Sequence, residues 1–177
     1  MDFTFAITAG KNSMSIKYVS KGIVLEEVPD EITLAFSITN CTGTCEGCHS
    51  PWLREDIGDD LERDLPDYLK KFDGRITCVA FLGEGNDPDA LIRCIKEAHE
   101  AGFRTCVYSG KDEEPSYLYS LIAKGILNYL KIGSYKKELG GLDSPTTNQR
   151  MFKSKEYNDP IPFEDITHKF QKGIFDE

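Results

Sequence analysis

The chain has 177 residues, of which 40% are hydrophobic and 29% are charged, and its formal net charge is −9. This length suits one domain, or one domain with a small extension, and the acidic balance disfavours binding to nucleic acid or to an anionic membrane surface. No apolar run reaches the roughly 20 residues of a membrane span, and the first residues lack the features of a secretion signal. We therefore expect a cytoplasmic protein whose six cysteines stay reduced and do not form a disulfide framework.

The residue pattern divides the chain into three parts. Residues 1–30 are predicted to be a strand-rich lead-in, with strand-like segments at 15–19 and 22–25. Residues 31–155 are predicted to form the main unit, and residues 156–177 a tail. From Leu142 onward the chain is polar and rich in Asp, Lys and Pro, and it gives no clear secondary-structure pattern.

Strand patterns alternate with helix patterns through the main unit. The predicted strands are 31–39, 76–82, 103–108 and 129–132, and the predicted helices are 65–72, 87–101 and 115–123. Asp64 is a possible N-cap of the first helix, which would place Pro66 in the first turn, where proline is tolerated.

This alternation predicts βαβ units and an α/β fold with mostly parallel strands. About four βα repeats are visible, which is too few for a complete eight-stranded barrel. We therefore expect a partial, open barrel. Active sites in such folds lie at the carboxyl ends of the strands, and two loops follow neighbouring strands there, the loop that begins at Cys41 and the loop at residues 83–87.

Three cysteines, Cys41, Cys45 and Cys48, follow the first of these strands with the spacing C-x3-C-x2-C. Thiolates are the ligands of iron–sulfur clusters, and three of them would leave one iron of a [4Fe–4S] cluster open to a substrate. A zinc site is an alternative, but zinc usually needs four ligands. His49 is available as the fourth, but it adjoins Cys48, and adjacent residues rarely both reach one ion. A C-x-x-C redox pair would leave Cys41 unexplained, and haem attachment at C-x-x-C-H fits poorly with the absence of a secretion signal.

The C-x3-C-x2-C motif after the first strand of a βα array resembles that of the radical S-adenosylmethionine (SAM) enzymes. The resemblance implies a partial barrel of the radical SAM type. The three cysteines would hold a [4Fe–4S] cluster, and SAM would chelate its open iron. Reductive cleavage of SAM would then give a 5′-deoxyadenosyl radical, so that the cluster and SAM carry the catalysis.

A narrower resemblance comes from Gly47, which stands where most radical SAM enzymes carry an aromatic residue, and from residues 129–135 and 139–150. Together they resemble the activating proteins of anaerobic ribonucleoside-triphosphate reductases over about residues 30–155. This implies an activase that abstracts hydrogen from a glycine of the reductase's large subunit and receives electrons from a one-electron donor such as flavodoxin or ferredoxin. Alternatives are an activase of another glycyl-radical enzyme, a small-metabolite radical SAM enzyme, and a non-catalytic zinc-binding interaction module.

The resemblance also suggests residues that contact SAM. Gly83 and Glu84 lie where the family binds the amino group of SAM, although this chain departs from the usual Gly-Gly-acid pattern. Gly47 would offer its backbone to the adenine of SAM. Because Gly47 has no ring, stacking on the adenine must come from elsewhere. His49 would flank the cluster, and Ser109 would line the ribose site. Free cysteine packs as a small hydrophobe, so the remaining cysteines are predicted to lie in the core: Cys78, Cys94 and Cys106.

Overall fold

The computed structural model describes residues 15–113, 115–155, 159 and 161–171, so the first part of the predicted lead-in and parts of the tail lie outside the described residues. The strands are β1 Lys17–Val24, β2 Thr33–Ile38, β3 Asp59–Asp60, β4 Cys78–Leu82, β5 Arg104–Tyr108, β6 Tyr129–Ile132, β7 Arg150–Ser154 and β8 Phe163–Asp165. The helices are α1 Leu61–Phe72, α2 Pro88–Glu100 and α3 Ser116–Ala123, with short 3₁₀ helices at Pro51–Arg54 and Thr167–Phe170.

The eight strands form one open sheet in the order β3-β1-β2-β4-β5-β6-β7-β8. The chain is therefore an α/β protein, as predicted. Strands β2, β4, β5 and β6 run parallel, and the three helices connect them. The prediction of mostly parallel strands is wrong for the two flanks, because β1, β3, β7 and β8 all pair antiparallel and make the sheet mixed.

The flanking strands come from segments whose pattern was weak or broken. The two predicted segments at 15–19 and 22–25 lie mostly within the single strand β1, Lys17–Val24, which has an irregular register between Tyr18 and Ser20. In the polar stretch before the tail and in the tail itself, β7 and β8 pair with each other and extend the sheet beyond β6. Antiparallel neighbours need no crossover helix, so the alternation of strands and helices gave no sign of them.

Helix α1 begins four residues earlier than its pattern predicted. Asp60 is its N-cap, because its carboxylate accepts a hydrogen bond of 3.0 Å from the backbone N–H of Arg63. Pro66 therefore lies inside the helix rather than in its first turn. The helix tolerates this proline because Leu61, Leu65 and Leu69 bury one face of it in the core.

The core has one layer on each face of the sheet. The larger layer packs the three helices against the sheet and contains Phe36, Phe81 and Cys94. The smaller layer lies on the opposite face and contains Cys78 and Cys106. All three cysteines are fully buried, which confirms the prediction that they are core residues. Within the described ranges, no helix is both long enough and apolar enough to cross a lipid bilayer.

An ion pair between a buried glutamate and a half-exposed arginine lies at the amino ends of the parallel strands. The Glu31 side chain, just before β2, is only 2% exposed and accepts hydrogen bonds of 2.5 Å from Arg104 and 2.7 Å from Tyr129. Arg104 begins β5 and Tyr129 begins β6, so this network ties three parallel strands together at the edge opposite the cysteine loop.

Candidate functional site

The cysteine loop leaves the carboxyl end of β2 and is held from one side by the following 3₁₀ helix. The backbone N–H of Cys41 donates to the carbonyl of Leu53 at 2.9 Å. The Arg54 guanidinium donates to the carbonyls of Gly43, at 2.9 Å, and Cys45, at 3.1 Å. Arg54 thus binds one residue of the first spacer and the second cysteine itself, and it fixes the path of the loop between its first and second cysteines.

The three cysteines of the motif are free thiols, and each is half-exposed. The sulfur of Cys41 accepts a hydrogen bond of 3.4 Å from the N–H of Gly43, and that of Cys48 accepts one of 3.4 Å from Ser50. A Cβ atom built on Gly43 would lie 3.4 Å from the Cys41 sulfur and 3.9 Å from the Cys45 sulfur. These two sulfurs are therefore no farther apart than the sum of the two distances.

This donor set fits an iron–sulfur cluster. Three soft thiol ligands lie on one accessible loop, and N–H donors to sulfur stabilise the thiolate form. Within the described part of the chain, no group of three or more His, Cys, Asp or Glu side chains is already arranged to hold a metal ion.

The glycine loop after β4 packs directly against the end of β2. Gly83 has φ +126°, a conformation that favours glycine, and a Cβ there would lie 3.3 Å from both the Cβ and the carbonyl oxygen of Ile38. A Cβ on Gly85 would lie 3.3 Å from the carbonyl oxygen of Thr39. The two loops predicted to share one edge of the sheet thus meet there, and the glycines permit the close approach.

Glu84 and Ser109, both predicted to contact SAM, are brought into contact by the fold. Ser109 is 1% exposed and donates a hydrogen bond of 2.5 Å to Glu84. Lys111 donates to the other carboxylate oxygen at 2.9 Å, and the Tyr117 hydroxyl donates to that same oxygen. Burial and the neighbouring carboxylate raise the pKa of Tyr117 above its ordinary value. Lys111 and Tyr117 were not singled out from the sequence.

A cavity of about 1110 Å³ lies beside the cysteine loop. Its walls come from three segments, namely the cysteine loop at 42–47, the loop after β5 at 110–112, and the loop after β6 at 134–138. Cys45 and Gly47 both line it, whereas Glu84 reaches it only through Lys111. The cavity has room for a ligand the size of a nucleoside with an attached amino acid.

The loop after β6 contacts the cysteine loop through Tyr135 and His49. Tyr135 and His49 are joined by a hydrogen bond of 3.1 Å between the tyrosine hydroxyl and Nε2, and their ring centres are 4.6 Å apart. Gly47 is exposed, and a Cβ built on it would lie 3.8 Å from the Tyr135 ring. His49, which was predicted to flank the metal centre, therefore also anchors the opposite wall of the cavity.

Residues 147–150 pack against the start of the loop after β6 and hold it in place. Asn148 donates to the carbonyl of Ser134 at 3.0 Å. A Cβ on Gly133 would lie 2.8 Å from the Cα of Gln149, so the two backbones are nearly in contact. The residues that suggested the narrower family resemblance thus position the loop that carries Tyr135.

Lys131 is a buried lysine, just before the loop after β6, that the sequence analysis did not single out. It lies in β6, is 8% exposed, and donates a hydrogen bond of 2.7 Å to the carbonyl of Gly133. Burial lowers its pKa to about 8, and the Asp112 carboxylate partly opposes that shift. The available signal was a lysine inside the otherwise apolar strand Tyr129–Ile132, all of whose residues are buried.

The chain was compared with protein-family models, with curated proteins and with solved structures, and none of the three comparisons gave a match.

Proposed function

We propose that this chain is a radical SAM activase that generates a glycyl radical on an anaerobic ribonucleoside-triphosphate reductase. The observation that carries the proposal is the C-x3-C-x2-C loop itself. Its three free, half-exposed thiols lie at the carboxyl edge of a parallel strand set, beside a cavity of about 1110 Å³. Carboxyl edges of parallel strands are where α/β folds bind their ligands.

The sheet is compatible with a partial barrel of the radical SAM type. Its four central strands are parallel and crossed by helices, while antiparallel strands extend both sides without closing. An unclosed sheet leaves a side through which a loop of another protein can enter. That is what hydrogen abstraction from a protein backbone would require.

Each proposed site residue has a separate task. Cys41, Cys45 and Cys48 would hold a [4Fe–4S] cluster, which when bound supplies the one-electron reduction of SAM. Glu84 would accept hydrogen bonds from the SAM amino group. The SAM amino group would then compete with the Lys111 ammonium group, which Glu84 binds in this structure. Ser109 was predicted from the sequence to lie at the ribose of SAM. Its hydrogen bond to Glu84 gives Ser109 a more specific role, which is to orient the Glu84 carboxylate.

The backbone around the site supports close ligand approach. Gly83 brings the Glu84 loop against β2, and Gly47 leaves the cavity wall without a side chain. His49 shields the metal centre on the side of Tyr135. The partners would be the large reductase subunit and a one-electron donor such as flavodoxin or ferredoxin, and we propose that the protein works in the cytoplasm.

Anaerobic reconstitution with iron and sulfide tests the cluster. The wild-type chain should become brown and bind about four iron atoms, as a [4Fe–4S] cluster requires. Replacing Cys41, Cys45 or Cys48 with Ala should abolish the colour, whereas the matched control Cys94→Ala, in the core, should retain it. A colourless wild-type chain that holds one zinc would instead favour the zinc-binding interaction module.

Electron paramagnetic resonance then tests the partner. Incubation of the reconstituted chain with SAM, a reductant and the reductase should give a glycyl-radical doublet. Cleavage of SAM without that doublet would refute the assignment to this reductase and favour one of two alternatives, an activase of another glycyl-radical enzyme or an enzyme that acts on a small metabolite.

A further inference from the structure

The Tyr135 ring lies beside Gly47. A Cβ on Gly47 would lie 3.8 Å from an edge carbon of Tyr135 and 3.6 Å from the Cβ of Lys137. Gly47 itself has φ +71° and is exposed. Bare backbone and an aromatic ring therefore lie side by side at this wall of the cavity.

The ring is held in a defined orientation. Its hydroxyl lies 3.1 Å from Nε2 of His49, and the two rings are inclined by 56° with centres 4.6 Å apart. The backbone that carries Tyr135 is braced in turn by the hydrogen bond from Asn148 to Ser134. A ring fixed at its hydroxyl and at its backbone can present a face to a ligand at low entropic cost.

Tyr135 is also the one aromatic residue among the described residues that line this cavity. The other lining residues are glycines, threonines, a serine, charged side chains and Cys45. A planar heterocycle in the cavity would therefore find an aromatic partner only at Tyr135. Stacking on an aromatic side chain is a common way for proteins to hold a nucleobase.

We infer that Tyr135 is a positioning residue whose ring stacks on the adenine of SAM, with His49 fixing the ring. This inference rests on the proposed function. The cavity is lined by both Cys45 and Tyr135, so one ligand could reach the metal centre with its amino-acid end and the tyrosine with its base. The aromatic surface would then come from the loop after β6 rather than from the cysteine motif.

The test uses the full chain with a reconstituted cluster and three variants, Tyr135→Leu, Tyr135→Phe and His49→Ala. Calorimetry measures binding of SAM, of 5′-deoxyadenosine, which keeps the base, and of methionine, which lacks it. Loss of the stacking ring should weaken SAM and 5′-deoxyadenosine by roughly 5- to 150-fold in Tyr135→Leu and leave methionine unchanged. Tyr135→Phe keeps the ring but, like His49→Ala, removes the hydrogen bond between these two side chains. Both variants should bind SAM and 5′-deoxyadenosine more tightly than Tyr135→Leu and within about three-fold of each other.

The outcomes separate this inference from the function on which it rests. If the wild-type chain takes up no cluster or binds no SAM, both fail. If the wild-type chain binds SAM and Tyr135→Leu binds SAM and 5′-deoxyadenosine as wild type does, only the role of Tyr135 is refuted. An equal loss of methionine binding in Tyr135→Leu would also refute it, because a collapsed site would weaken every ligand.

A second measurement does not depend on the stability of any variant. The wild-type chain is irradiated with 8-azido-S-adenosylmethionine, and the labelled peptide is identified by mass spectrometry. The label should fall within residues 134–138 and should be suppressed by excess SAM. Label confined to other segments would overturn the assignment.

Discussion

Ser109 donates a hydrogen bond of 2.5 Å to Glu84, and this bond joins the carboxyl ends of β4 and β5. Ser109 is 1% exposed, whereas the Glu84 side chain remains 12% exposed and also binds Lys111. Ser109 therefore binds one oxygen of the carboxylate from the buried side, and the other oxygen binds Lys111 and the Tyr117 hydroxyl.

Replacing Ser109 with Ala should lower the free energy of unfolding by about 1.5–3 kcal/mol, because it removes a hydrogen bond to a charged group at a buried site. Urea unfolding measures this. The control is Ser20→Ala, whose side chain donates to Ser37 at 2.8 Å on the exposed surface and should cost less than about 0.5 kcal/mol. Equal losses in the two variants would show that the bond to Glu84 is not special.

The central part of the fold could be predicted from the sequence because each of its elements has a clear hydrophobic pattern of its own. The near-continuous apolar run that includes Cys78–Leu82 and the capped, amphipathic α2 left little doubt about their type. The two-residue strand β3 and the tail strand β8 depend on partners distant in sequence. No local pattern specifies such pairings, because what stabilises them is tertiary contact.

The part of the candidate site that depends on a sequence motif could be predicted. The part that the fold brings together from distant segments could not. Cys41, Cys45 and Cys48 stand out by spacing alone. Tyr117 and Tyr135 do not, since each meets its partner, Glu84 or His49, only after helices and strands bring distant segments together. Side-chain clusters of this kind have no signature along the chain.

Arg54 should control how firmly the cysteine loop keeps its shape. Its planar guanidinium binds the carbonyls of Gly43 and Cys45 at once, which a lysine cannot reproduce. If the proposed cluster forms, Arg54→Ala and Arg54→Lys should both lose iron to a chelator several-fold faster than wild type. Arg75→Ala, at an exposed position outside the loop, is the control. Similar rates in all the proteins would refute this role.

The ion pair at the opposite edge should be important for stability rather than for ligand binding. Among the described residues, Arg104→Met would leave the Glu31 carboxylate, 2% exposed, with only the Tyr129 hydroxyl as a side-chain donor, and it should cost about 1.5–3 kcal/mol. The double variant Glu31→Gln with Arg104→Met should recover part of that loss, because no unpaired charge remains buried. Denaturant unfolding of the wild type, Arg104→Met, Glu31→Gln and the double variant gives the coupling energy, and simple additivity would contradict the prediction.

Asp112 should make the stability of the cavity wall depend on pH. Hydrogen bonds of 2.9 Å from the backbone N–H of Ser134 and 2.8 Å from its hydroxyl lower the pKa of the Asp112 carboxyl below its ordinary value of 3.8. A carboxyl whose pKa is lower in the folded state stabilises the fold above the unfolded pKa. That contribution disappears as the pH falls through the lower, folded value.

The comparison is between the wild-type chain and Asp112→Asn, both without metal, because acid would also attack a cluster. At pH 7 the wild type should unfold at a higher temperature by no more than about 2–4 °C, since an exposed contact contributes less than about 1 kcal/mol. The difference should shrink steadily as the pH falls from 5 to below 3. A difference that stays constant over this range would mean that the Asp112 charge does not hold the loop after β6 in place.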